Sequence, residues 1–172
     1  TTEIYTLSLH DALPISLWDT PGYEQVNGAE LREQVLEYAS NSDLLLLVNP
    51  ALDPALQMDV DFLKDIQAEV TDLPVITAVT QVDRLRPIRE WQPPYNWELG
   101  DRPKEISIRE AIQYRAQLLA NYCDVVLPIV TADPQVGRIA WGIDALSLAL
   151  VQAIAPAKQL RLARFMRDLE TR

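Results

Sequence analysis

At 172 residues the chain has the length of one compact domain or the greater part of one. Its formal net charge of −10 gives it little long-range attraction for a polyphosphate backbone, which argues against non-specific nucleic-acid binding. The longest apolar runs, Leu44–Val48 and Val125–Val130, fall far short of the roughly 20 residues of a membrane-spanning helix, and the single Cys123 fits a reducing compartment such as the cytoplasm.

In chain order, Thr1–Ile15 comes first and stands apart. The run TTEIYTLSLHDALPI resembles, at every position, a short-read sequencing adapter translated in one frame. On that reading it is a gene-assembly scar to be excluded from the fold; the alternative is a native amphipathic strand. His10, the only histidine, then leaves every catalytic or metal hypothesis, and the native sequence is interrupted near Ser16.

From Ser16 onward, short apolar runs alternate with helical patterns. Leu17-Trp18 ends a truncated apolar run. Leu31, Val35 and Ala39 recur at helical spacing within Ala29–Ala39. Asp43–Asn49 reads as a strand buried on both faces. Asp53-Pro54 opens a helix, with Asp53 as cap and Pro54 at the first helical position, and Phe62, Ile66 and Val70 continue its apolar stripe. Pro74–Thr80 is the next strand. Residues 86–104 form a long irregular insert rich in proline and aromatics, with Trp91, Tyr95 and Trp97. Ser107 and Glu110 have capping-box spacing, which predicts a helix from there to about Tyr122. Asp124–Val130 is a further strand, and Ile143, Leu146 and Leu150 define a helix beginning near Gly142. Pro156 is expected to break it from a last helix that carries Leu162, Phe165, Met166 and Leu169 beside Lys158, Arg161, Arg164 and Arg167. The alternation predicts an α/β fold, three-layer, with a mainly parallel sheet. Residues 16–155 are expected to form a partial domain, and 156–172 a basic helix or the start of a following region.

Ligands of such sheets bind beyond the carboxyl ends of the strands, and three strands end in polar sequence. Asp19-Thr20-Pro21-Gly22 offers a carboxylate able to hold Mg²⁺ through water, then a glycine whose N–H can approach a phosphate. Thr80-Gln81-Val82-Asp83 offers an aspartate able to accept the paired ring N–H and amine of guanine, a pair adenine cannot supply. Thr131-Ala132-Asp133 offers a small residue whose N–H can reach the guanine carbonyl. Each sequence is common by itself. A strand followed by an ordinary turn would explain any one of them.

Together and in this order they resemble the P-loop GTPases, most closely the Era-like (TRAFAC) group. Asp19–Gly22 is similar to the family's D-x-x-G motif in its DTPG form, Thr80–Asp83 to its [NT]-K-x-D motif and Thr131-Ala132 to its S-A-K motif. The resemblance covers about Leu17 to Ile154. It implies a G domain incomplete at its N-terminus, with GTP or GDP and Mg²⁺ as ligands. Asp19, Thr20, Pro21 and Gly22 would lie at the phosphates and metal, and Thr80, Gln81, Asp83, Thr131 and Ala132 at the base.

The chain departs from the family in several places. Gln81 replaces a lysine whose stem packs beside the base, and Asp133 replaces the last lysine of the third motif. No G-x-x-x-x-G-K-[ST] is present, although the family holds its phosphates with that loop; its expected place is N-terminal to Asp19, where the adapter-like segment stands. Tyr23 occupies the position where many GTPases orient the attacking water with glutamine, and Glu24 and Gln25 are the nearby polar groups. The catalytic residue is therefore unassigned, and slow intrinsic turnover is expected of the complete protein. A non-hydrolysing scaffold of the same fold is the alternative, using the Trp91–Trp97 insert as a partner surface. The basic terminal helix reads either as a solvated connector or as a peripheral contact with an anionic membrane.

Overall fold

The computed structural model describes residues 3–7, 15–19, 29–54 and 56–170, with side chains described at position 17 and over 33–54 and 56–158. In chain order the elements are β1 (Glu3–Leu7), β2 (Ile15–Asp19), α1 (Ala29–Ser40), β3 (Leu45–Pro50) and α2 (Leu56–Glu69). They continue with β4 (Val75–Thr80), α3 (Pro103–Leu118), β5 (Val125–Pro128) and α4 (Ile143–Glu170).

Strands β3, β4 and β5 form a parallel sheet in that order, with Leu47 opposite Thr77 and Ala78 opposite Leu127. Parallel neighbours need long crossovers, which α2 and α3 supply. Right-handed crossovers along strands laid down in one direction put both helices on one face. The packing agrees. Leu47 and Val75 meet Leu63 of α2 and Leu119 just beyond α3, while Val79 meets Ile108 and Ile112 of α3. Ile76 and Ala78, on the other face of β4, are buried as well, and α4 packs against β4 and β5. A strand covered on both sides has no use for alternating polarity, hence the continuous apolar run. Helix α1 joins the periphery through Val35 and Ala39, packed with Ile66 and Val70.

Strands β1 and β2 pair antiparallel in a separate two-stranded sheet, Ile4 opposite Trp18 and Tyr5 opposite Leu17. The whole of β1 falls within the adapter-like segment.

Several expected boundaries differ: α2 begins at Leu56, so Asp53-Pro54 lies ahead of the helix and does not open it, and α3 ends at Leu118, short of Tyr122. Helix α3 begins at Pro103 and not at Ser107, because proline suits the first helical position and the Glu105 carboxylate reaches back to accept the Arg102 N–H at 3.0 Å. Strand β5 stops at Pro128, and Val130 pairs instead with Trp141 in an antiparallel bridge. Pro156 does not end α4, which runs through it to Glu170. The missing N–H orphans the Gln152 carbonyl, and both residues lie on the exposed side, where water can take that bond.

Candidate functional site

The carboxyl ends of β4 and β5 carry the groups of interest. Just beyond Thr80, Gln81 adopts a left-handed conformation, φ 58° and ψ 28°, rarely taken by a residue with a side chain. The reversal starts a single 3-10 turn, Val82–Arg84, that returns Val82 to the core and leaves Asp83 at the sheet end. Local strain of this kind persists only where the surroundings hold it. Here Lys104 does so. Its side chain is wholly buried, and Nζ donates to the carbonyls of Asp83 at 2.7 Å, Leu85 at 2.5 Å and Pro87 at 3.0 Å. Burial lowers the lysine pKa, while the charges of Asp83 and Glu90 resist that shift.

The segment after β5 folds into a hairpin. Val130 and Trp141 exchange backbone bonds at 2.8 and 2.9 Å, as do Asp133 and Arg138 at 2.9 Å each. Gly137, at φ 67°, makes the turn, and Asp133 Oδ1 accepts the Gln135 N–H at 3.1 Å. Asp133 is thus a turn-forming residue in its own right. Arg138 reaches across from this hairpin to the 3-10 turn. Its Nε donates to the Thr131 carbonyl at 3.1 Å, Nη1 lies 3.5 Å from Asp83 Oδ2, and Nη2 lies 3.6 Å from Asp133 Oδ2. The other oxygen of Asp83, Oδ1, is buried and has no hydrogen-bond partner among the described residues.

The insert braces both pieces. Trp91 Nε1 donates to the Ile139 carbonyl of the hairpin at 3.0 Å, and the rings of Trp91, Tyr95 and Trp141 meet with centroids 5.2 to 6.0 Å apart. Arg102 lies over Tyr95 and donates to the Pro94 carbonyl at 2.6 Å, while Arg109 donates to the Glu98 and Gly100 carbonyls at 3.1 and 2.9 Å. Glu105 bonds the Arg102 side chain and accepts the Asn96 and Arg102 N–H groups, which together pull its pKa down to about 2. Gly100 is required here, since a Cβ would stand 2.1 Å from the Glu105 carboxylate.

At the end of β3 lies a buried polar group. Asn49 Nδ2 donates to Asp59 Oδ2 at 2.6 Å, and Arg115 Nε donates to Asn49 Oδ1 at 2.7 Å. Arg115 Nη2 also holds the Pro50 and Ala51 carbonyls, each at 2.9 Å. Burial raises Asp59 to about 6, against the attraction of Arg115.

Of the residues read from sequence, Thr80 ends β4, Gln81 and Asp83 follow it, and Thr131 and Ala132 follow β5; Arg138 joins the two segments at Asp83 and Thr131. Asp19 ends β2, but its side chain lies outside the described residues, as do Thr20, Pro21, Gly22, Tyr23, Glu24 and Gln25. Among the described residues no group of three or more His, Cys, Asp or Glu could hold a metal ion, and no helix is long and apolar enough to cross a membrane. Sequence reading missed Lys104, whose partners are set by tertiary contact, and Arg138, whose approach to Asp83 is tertiary while Thr131 and Asp133 belong to its own hairpin. The chain matches no protein-family model, and no curated protein matches it significantly.

Proposed function

We propose that the chain is the guanine-recognising part of a GTP-binding domain, from a regulatory GTPase that hydrolyses GTP to GDP when complete. One observation carries the reading. Asp83 stands at the carboxyl end of a parallel strand with one buried oxygen unpartnered among the described residues and the other only loosely engaged. Leaving a buried acceptor unmade is costly, so such an atom points to a donor that arrives from outside. Guanine brings two parallel donors on adjacent ring atoms, which match the two oxygens of one carboxylate. In this reading the Thr131-Ala132 backbone, tied to Asp83 through Arg138, would offer an N–H to the guanine carbonyl beside those donors.

Mg²⁺ would enter with the nucleotide, since this ion keeps much of its water and takes few protein ligands. In this reading Asp19, the last residue of β2, would hold it through water, and Thr20-Pro21-Gly22 would serve the terminal phosphate. The ion would supply charge neutralisation at the phosphates.

The same reading gives the insert a structural duty, because Trp91 and Tyr95 face inward. A partner using this region would meet Ile88 and Leu99, which are exposed. Asp83→Asn tests the assignment. In the complete protein it should lower GTP affinity and improve the binding of xanthosine nucleotide, as measured by titration calorimetry. An unchanged base preference removes the guanine assignment.

A further inference from the structure

We propose that Arg138 is the built-in occupant of the Asp83 carboxylate, a guanidinium that the donor edge of an incoming guanine must displace. The proposal deepens the guanine reading and rests on it for the identity of the ligand. Its physical content is chemical likeness. The N1–H, C2 and amine of guanine are a guanidine set in a ring, so base and arginine present the same planar fork of N–H donors to a carboxylate.

The geometry gives the exchange its direction. Arg138 is fastened at one point, the 3.1 Å bond from Nε to the Thr131 carbonyl. Its two acidic contacts, 3.5 Å to Asp83 and 3.6 Å to Asp133, are too long for hydrogen bonds and act as ion pairs only. The fork therefore sits between two carboxylates and satisfies neither. Asp83 Oδ1 stays buried without a donor among the described residues, while Oδ2 has only the distant charge. A base bringing two short hydrogen bonds would fill both oxygens. Arg138, pivoting on the Thr131 carbonyl, would keep Asp133 as its counter-ion, so its charge would not be stranded.

Thermodynamically, an occupied pocket lowers apparent affinity by the fraction of molecules in which it is free. Arg138 then acts as a threshold on base binding and as a selector, since only a ligand with a comparable fork gains by replacing it. A ligand offering a single donor leaves one oxygen unmade and displaces a charge for less return.

The test uses the full 172-residue chain with Arg138→Ala, Arg138→Lys, Asp83→Asn and the Asp83→Asn/Arg138→Ala double variant. Two probes are applied: ethylguanidinium at millimolar concentration, read as a rise in Tm, and guanosine, read by ligand-observed NMR. Arg138→Ala should gain stabilisation by ethylguanidinium that the parent chain and the double variant lack. It should also bind guanosine about three- to tenfold more tightly than the parent. Arg138→Lys keeps the charge without the fork and takes the same readings if the alanine variant does not fold.

Rescue by ethylguanidinium with no guanosine binding in any variant sustains Arg138 as occupant and sinks the guanine reading. Guanosine binding that requires Asp83 yet is unchanged or weaker without Arg138 overturns the proposal and leaves the guanine reading intact. Loss of both effects overturns both.

Discussion

Lys104 shows how much one side chain can decide. An ammonium group with no exposure is expensive, and it is tolerated because its three hydrogens meet three carbonyls of the segment that follows β4. Lys104→Met keeps the stem and removes the donors, leaving three acceptors to find water or strain. The expected cost is about 3 kcal/mol in urea unfolding, with amide exchange across 83–87 accelerating ahead of the global transition. A loss under about 1 kcal/mol would mean that the turn holds itself. Nothing in the sequence marks this lysine, since most lysines are solvated and only the tertiary approach of α3 to the turn makes this one different. The place of Asp83 in the chain was legible for the opposite reason. It follows a strand written plainly in Val75–Thr80, and strand ends are where sheets of this class present their chemistry.

Among the elements, β4 was readable because burial on two faces leaves an uninterrupted apolar run; β3 carries such a run too, yet Val48 is exposed, so the expected burial of that strand on both faces does not hold. Helix boundaries were less so. Ser107 and Glu110 have the spacing of a capping box, yet Pro103 and Glu105 make the working start four residues earlier, since Glu105 also has the insert to hold. The capping pattern is local, whereas the choice between two such patterns was made by contacts with the insert. The opening of α4 depends on Gly142. Its φ of 79° disfavours any side chain, and a Cβ there would stand 2.2 Å from the Pro128 carbonyl oxygen. Gly142→Ala should therefore cost about 2 kcal/mol or more, visible as a lower denaturation midpoint. Because the hairpin ends at Trp141, the variant should also disturb the Val130–Trp141 bridge, seen as faster exchange of both amides. Slow, parent-like exchange there would separate helix placement from the hairpin.

For the molecule as a whole, two carboxylates with opposite shifts shape the dependence of stability on pH. Asp59 is raised from 3.8 to about 6, so the folded chain binds its proton more tightly than the unfolded chain does. Stability should fall as pH rises from 3.8 to 6, by up to about 3 kcal/mol. Glu105 is held at about 2 against an ordinary 4.5, so its contribution is complete above pH 4.5 and is lost as pH falls toward 2. The urea midpoint should accordingly be highest near pH 4.5 and decline on both sides. Asp59→Asn should flatten the alkaline decline and raise stability at pH 7, while the acid limb stays as it is. An unchanged alkaline limb in that variant would assign the decline to other groups.

The insert and the turn before it are fastened by cations that grip main-chain oxygens: Lys104 on Asp83, Leu85 and Pro87, Arg109 on Glu98 and Gly100, Arg102 on Pro94. Every amino acid brings that oxygen to its place. The outward side chains of the loop, Ile88 and Leu99 among them, are thereby released from the task of shaping it. The conformation can be inherited while the face it displays drifts. A saturation library over 86–100 should come out two-toned, intolerant at Trp91, Tyr95 and Gly100 and permissive at its exposed neighbours, the arrangement that lets one frame carry many surfaces.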